Sequence, residues 1–149
     1  MESPGSDFEH EQSLITQELI GKNKNLVHLK LGSSINLKEV VAQISLNCKN
    51  FMRLGFSDAS IEEDEALAIA TFLPNITHLF LPETYIIEKS LVTILQCCKQ
   101  LVHLDVSNCV GFFENDEEIL KLASYITTFE CKGTMPFTFG CDSSSDEEI

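Results

Sequence analysis

Four side chains that carry or can take a positive charge recur at a single interval: His28, Arg53, His78 and His103, each 25 residues after the one before, with Thr128 next in the series. A second row, two residues further on, runs Lys30, Gly55, Phe80, Asp105 and Glu130. If the interval is structural, each row is a ladder of neighbours. A basic row on an acidic chain suits an acidic or phosphorylated peptide, held by charge-assisted hydrogen bonds. Phe80 adds an aromatic ring, and aromatics and arginine dominate interface hot spots. His28, Lys30, Arg53, His78, Phe80, His103 and Asp105 are therefore the candidate partner-binding residues. A solvated strand face with no partner would also carry polar residues. His78 and His103 sharing a metal would need a third ligand, and none is evident in the sequence, so no metal is expected.

Other chemistry finds little support. There is no nucleophile–base–acid pattern, no Gly-rich phosphate loop and no H-E-x-x-H, so neither catalytic residues nor a cofactor are expected and the chain reads as a non-enzyme. Acids cluster in Glu62-Glu63-Asp64-Glu65 and Glu114-Asn115-Asp116-Glu117-Glu118, where helix starts account for them. The net charge of −13, from 23 acids against 10 bases, argues against nucleic acid and against an anionic membrane surface as partners. No apolar run approaches the roughly 18 residues of a membrane span. Cys48, Cys97, Cys98, Cys109, Cys131 and Cys141 form no C-x-x-C pair or Cys/His cluster. Residues 1–7 show no secretory pattern. Reduced thiols in the cytoplasm or nucleus are the expectation.

The elements that would position these residues are legible in the same period. Leu29, Leu54, Leu79, Leu104 and Phe129 lie 25 residues apart, as do Ile44, Ile69, Ile94 and Ile119, and Cys48, Leu73, Cys98 and Ala123. A further column, Ser34, Ala59, Thr84 and Cys109, is small throughout. Each unit begins with an alternating segment such as Ile76-Thr77-His78-Leu79-Phe80-Leu81, which reads as a strand with one buried face. Ile87, Leu91, Ile94, Leu95 and Cys98 then follow at helical spacing. Strands are expected at 28–30, 53–55, 78–80, 103–105 and 128–130, and helices at 37–48, 62–73, 87–98 and 115–124.

A strand and a helix per 25 residues is the pattern of a leucine-rich repeat: an α/β solenoid, here a short curved right-handed β-α stack with a parallel concave sheet. The organisation that follows is a disordered N-terminus 1–12, a repeat domain 13–141 and an acidic disordered tail 142–149. Within the domain come a partial repeat or cap 13–25, repeats 26–50, 51–75, 76–100 and 101–125, and a terminal strand and lid 126–141. Leu19 is placed in the Ile44 column, and Met135, Pro136, Phe137 and Phe139 are expected to cover the last open face. Buried Cys48, Cys98 and Cys109 read as small hydrophobes.

The fourth unit, Cys98-x-x-Leu101-x-x-Leu104-x-Val106-x-x-Cys109, resembles the cysteine-containing subclass of leucine-rich repeats found in F-box/LRR proteins. Leu101 to Phe129 looks like the C-terminal region of a plant group of that family. The resemblance implies a module that selects substrates for an SCF-type ubiquitin ligase, with a protein or peptide target on the concave face. Residues 1–25 are too short for an F-box, so the SCF adaptor is expected as a partner only if an F-box is supplied elsewhere. The alternative is a stand-alone scaffold with no link to ubiquitination.

Overall fold

The computed structural model describes residues 18–32 and 36–136. The expected tails 1–12 and 142–149, and Phe137 and Phe139 of the expected lid, lie outside them. After a short helical segment at 18–22, the elements run β1 (His28–Leu31), α1 (Leu37–Asn47), β2 (Arg53–Phe56), β3 (Ser60–Ile61), α2 (Glu63–Phe72) and β4 (His78–Phe80). They continue with β5 (Tyr85–Ile86), α3 (Glu88–Cys97), β6 (His103–Asp105), α4 (Glu117–Leu122), a 3-10 turn (Ala123–Tyr125) and β7 (Thr128–Glu130).

The result is a mixed α/β structure with a five-stranded parallel sheet in the order β1-β2-β4-β6-β7. Its register repeats the sequence interval: Leu29 faces Leu54, Leu54 faces Leu79, Leu79 faces Leu104 and Leu104 faces Phe129. The backbone repeats it as well. The Val27 carbonyl accepts from Met52 and Arg53 N–H, the Met52 carbonyl from Thr77 and His78, and the Thr77 carbonyl from Val102 and His103.

Alternation decides which face of the sheet is covered. Leu54, Leu79 and Leu104 have no exposed surface, and Phe56, Leu81 and Val106 below them are buried. The helices stack one on the next and cover this face, burying Ile44, Ile69, Ile94 and Ile119. At the two ends of the sheet, Leu29 and Phe129 are only partly buried, because each has a neighbouring strand on one side alone. Helix starts use their acids as expected. The Asp116 carboxylate accepts from Ile119 N–H at 3.1 Å, and the Glu65 carboxylate takes the Glu62 N–H at 3.0 Å.

The cysteines do more than fill space. The Cys98 thiol donates to the Leu73 carbonyl of the preceding unit at 3.9 Å, and the Cys48 thiol to the Asn23 carbonyl at 3.4 Å. Both acceptors lie at the end of a helix, where carbonyls lack intrahelical partners. In the next unit, the Tyr125 hydroxyl donates to Cys98 and Leu95 carbonyls at 2.8 and 3.0 Å. The small column behaves alike: the Cys109 thiol and the Thr84 hydroxyl both donate to the Leu81 carbonyl, and the Thr134 hydroxyl to that of Val106. Cys48, Cys98 and Cys109 are buried in the apolar core as expected, and each thiol in addition faces a backbone carbonyl. Burial pushes the Cys98 thiol up to about 12 and that of Cys109 to about 11, so both stay protonated donors.

A second line of pairing runs alongside the main sheet. β3 and β5 are parallel, and Val110 bridges onward to Tyr85 and Met135. The turns leading into it share a left-handed residue in each unit, with φ of 56° at Asp58, 56° at Glu83, 55° at Asn108 and 82° at Gly133. A Cβ at Gly133 would stand 2.1 Å from the Asn108 side-chain oxygen. At Gly111, φ is 136° and a Cβ would stand 2.0 Å from the Ile86 carbonyl oxygen, so only glycine fits there.

Two end residues depart from expectation. Leu19 is 57% exposed and Ile20 is buried in its place. The segment 18–22 packs on one side only among the described residues, so the column register is not enforced there. Met135 is 61% exposed. Its backbone pairs with Cys109 and Gly111, so strand alternation turns Thr134 inward and Met135 outward.

Candidate functional site

The face of the sheet opposite the helices is open, and the register delivers all seven candidate residues to it. His28 and Lys30 come from β1, Arg53 from β2, His78 and Phe80 from β4, and His103 and Asp105 from β6. His28, Lys30 and Arg53 are exposed, and the other four are half-buried. Along one row each residue faces the next across the pairs His28–Arg53, Arg53–His78 and His78–His103.

Three rings cluster at the centre. Phe80 meets His103 edge-on at 4.9 Å between centroids, and His78 lies 6.1 Å from each of them. Phe80 is therefore not a free-standing aromatic, because two imidazoles shield its flanks. Beside it, Gly55 is buried, and a Cβ there would touch the Lys30 Cγ at 3.4 Å and the Phe80 Cβ at 3.5 Å. Lys30 and Phe80 therefore close over the Gly55 backbone from either side.

Hydrogen bonding fixes part of this cluster. The Thr77 hydroxyl lies 3.2 Å from the Met52 carbonyl and 2.9 Å from His78 Nδ1. Its single proton serves both contacts only if it goes to Met52 and His78 donates from Nδ1–H, which sets the imidazole tautomer. His103 Nε2 stands 3.5 Å from a Glu130 carboxylate oxygen, inside ion-pair range, yet it is buried and has no hydrogen-bond partner. The Asp105 carboxylate folds back on its own turn, accepting from Ser107 N–H at 2.9 Å and Ser107 Oγ–H at 2.6 Å. Asp105 thus shapes the turn as well as the surface.

Electrostatics grade across the face. The β1–β2 side is basic through His28, Lys30 and Arg53, and the β6–β7 side is acidic through Asp105 and Glu130. Burial lowers the pKa of His78 below 6.5, with repulsion from Arg53, His103 and His28 acting the same way. His78 is therefore neutral near pH 7, and its neighbours keep it so. Among the described residues, no three His, Cys, Asp or Glu side chains are placed to hold a metal ion. Thr77 and Glu130 are the partners that sequence reasoning left out of the site. Glu130 stands in the second row, but its approach to His103 depends on side-chain direction, which spacing does not give.

No protein-family model matches the chain. Over 76 residues it is 36% identical to F-box protein SKIP19 of Arabidopsis thaliana. The aligned region is 51% of this chain and 25% of that protein, so the chain spans about a quarter of the length of the curated relative it matches. The similarity is consistent with an F-box-like protein of plant type.

Proposed function

We propose that the chain is a protein-interaction module: a leucine-rich-repeat solenoid whose concave sheet meets a protein or peptide target. Its role is that of the substrate-recognition repeats of an F-box subunit of an SCF-type ubiquitin ligase. The observation that carries this reading is the unbroken 25-residue parallel register. That register gathers a basic half and an aromatic–imidazole cluster on one open face, and the likeness to a plant F-box protein supports it. The target chemistry that fits is an acidic or phosphorylated group against Lys30 and Arg53 with an apolar side chain against Phe80. The module performs no catalysis and needs no cofactor, and it works in the cytoplasm or nucleus. Engagement of the SCF adaptor requires an F-box on a longer form of the chain or on a partner.

A second reading is a stand-alone scaffold for a peptide or protein with no link to ubiquitination. The reading frame upstream of Met1 discriminates the two. For the site itself, a target recovered by pull-down with the chain is titrated against Phe80→Ala, Arg53→Glu and Glu63→Lys. The two open-face changes are expected to weaken binding, and Glu63→Lys, on a helix, is expected to leave it unchanged. The opposite pattern places the site on the helical side.

A further inference from the structure

The two edges of the stack carry opposite charge. Each unit leaves its helix, turns and enters its strand in the segments 22–28, 47–53, 72–78, 97–103 and 122–128. None of these five segments contains Asp or Glu, in a chain with 23 acids. They hold Lys22, Lys24, Lys49 and Lys99, and they end on His28, Arg53, His78 and His103 of the open face. The opposite edge, where strands lead into helices, carries Asp58, Glu62, Glu63, Asp64, Glu65, Glu83 and Glu88.

Apolar side chains remain uncovered on the acid-free edge too, as they do on the outer helix faces at Leu46 and Leu67 and on the opposite edge at Phe113 and Met135. Val27 is 40% exposed, Met52 43%, Phe72 40% and Val102 43%. The helix dipole favours cations at helix ends. It does not account for this pattern, because α1, α2 and α3 have no basic residue in their last turns, and Lys49 and Lys99 stand beyond the cap residues Cys48 and Cys98. Nor does a dipole explain exposed Val27, Met52 and Val102. The edge is continuous. The turns stack through the Cys48 and Cys98 thiol contacts to the preceding unit, and Val27, Met52 and Thr77 are joined by the ladder of N–H bonds. Lys24, Lys49 and Lys99 thus share one exposed row, with Pro74 between the last two, and Val27, Met52 and Val102 share a second row beside it, with half-buried Thr77 between the last two.

We infer that this edge is a second interaction surface, distinct from the open sheet face, and that it takes a protein segment combining carboxylates with bulky apolar side chains. The net charge of −13 does not forbid such a partner. The acidic edge lies a helix length away, about 15 Å for ten residues. The Debye length at physiological salt is about 8 Å, so an approaching segment feels the local lysines more than the distant acids.

The test is fluorescence anisotropy with a short fluorescein-labelled peptide of alternating glutamate and leucine at physiological salt. Saturable binding is expected, weakened roughly tenfold or more in the triple variant Lys24→Glu, Lys49→Glu, Lys99→Glu. A glutamate–serine peptide is expected to bind more weakly than the glutamate–leucine one. Circular dichroism of the variant checks that it is folded, and the single variant Met52→Ser tests the apolar row without charge reversal. Phe80→Ala, which removes the aromatic of the open face, is expected to leave the Lys24-, Lys49- and Lys99-dependent part of this binding in place. No saturable binding, or binding by both the triple variant and Met52→Ser as tight as that of the unaltered chain, overturns the assignment. Loss on Phe80→Ala alone moves the peptide to the open face and leaves that reading standing without this one. Lysine-dependent sedimentation with phosphatidylserine vesicles, without peptide binding, replaces a protein partner with a membrane and also overturns it.

Discussion

Leu79 and Leu29 occupy the same column, have the same side chain and sit at the same point of a strand, yet Leu79 has no exposed surface and Leu29 is only partly buried. The difference is the number of neighbours. Leu79 is flanked by Leu54 and Leu104, whereas Leu29 has Leu54 alone among the described residues. In a stack the core is made by adjacency, so a sequence column reports a potential for burial that only inner units realise.

The widest gap is expected from truncating both leucines. Leu79→Ala should cost about 2–5 kcal/mol, the range for large-to-small changes in a core. Leu29→Ala should cost clearly less, and urea unfolding measures both. Equal costs would show that the N-terminal end is as enclosed as the middle.

A smaller effect separates the donors of the small column. Thr134→Val removes the hydroxyl that serves the Val106 carbonyl and should cost about 1–3 kcal/mol, the penalty of a buried group left without its partner. Thr134→Cys, which copies Cys109 of the unit before, should recover much of the loss. If Val and Cys are equivalent, the contact is packing alone.

Smaller again is the change at the left-handed turns. Gly133 holds this conformation without strain, while Glu83 holds it with a side chain that disfavours it. Glu83→Gly should therefore stabilise the fold by up to about 1 kcal/mol, and a fall in thermal midpoint would count against the turn geometry.

The least change in stability is expected from pH. His78 binds its proton less readily in the folded chain than at the ordinary value of 6.5. The unfolded chain thus takes up more protons as pH falls through 6.5. Stability from neutral His78 is present above 6.5 and is lost progressively as pH drops toward the folded value. NMR titration should place the His78 midpoint below 6.5, and Arg53→Ala should move it upward by removing one of the repelling charges.

Much of this architecture is legible in the amino-acid sequence. The five strands of the main sheet stand where the 25-residue period put them, because Leu54, Leu79 and Leu104 are apolar for one repeated reason. The seven face residues were legible for the same cause. What was hidden rests on individual atoms. A cysteine at Cys98 looks like a small hydrophobe until its sulfur is seen against the Leu73 carbonyl. The left-handed column stayed invisible because Glu83 is not a turn residue by composition, and its conformation is imposed by the units on either side. The second line of pairing, through β3, β5 and Val110, is too short to leave an alternation. At Leu19 the period misled, since a period carries structural force only where a neighbour enforces it, and at Met135 strand alternation turned outward a side chain expected to cover the last face.

The buried thiols also give the molecule a set of internal reporters on how it opens. Cys97 is exposed and should react with iodoacetamide at once, whereas Cys48, Cys98 and Cys109 are buried in three different units. Burial raises the pKa of each, so in the closed state they are both shielded and poorly nucleophilic. Their alkylation therefore waits on local opening, and its rate at each site measures the stability of that unit under native conditions. Mass spectrometry of a labelling time course would follow all three together. If the stack frays from its ends, Cys48 should label well before Cys98; if it opens as one cooperative body, the three should label at rates set by a single opening equilibrium.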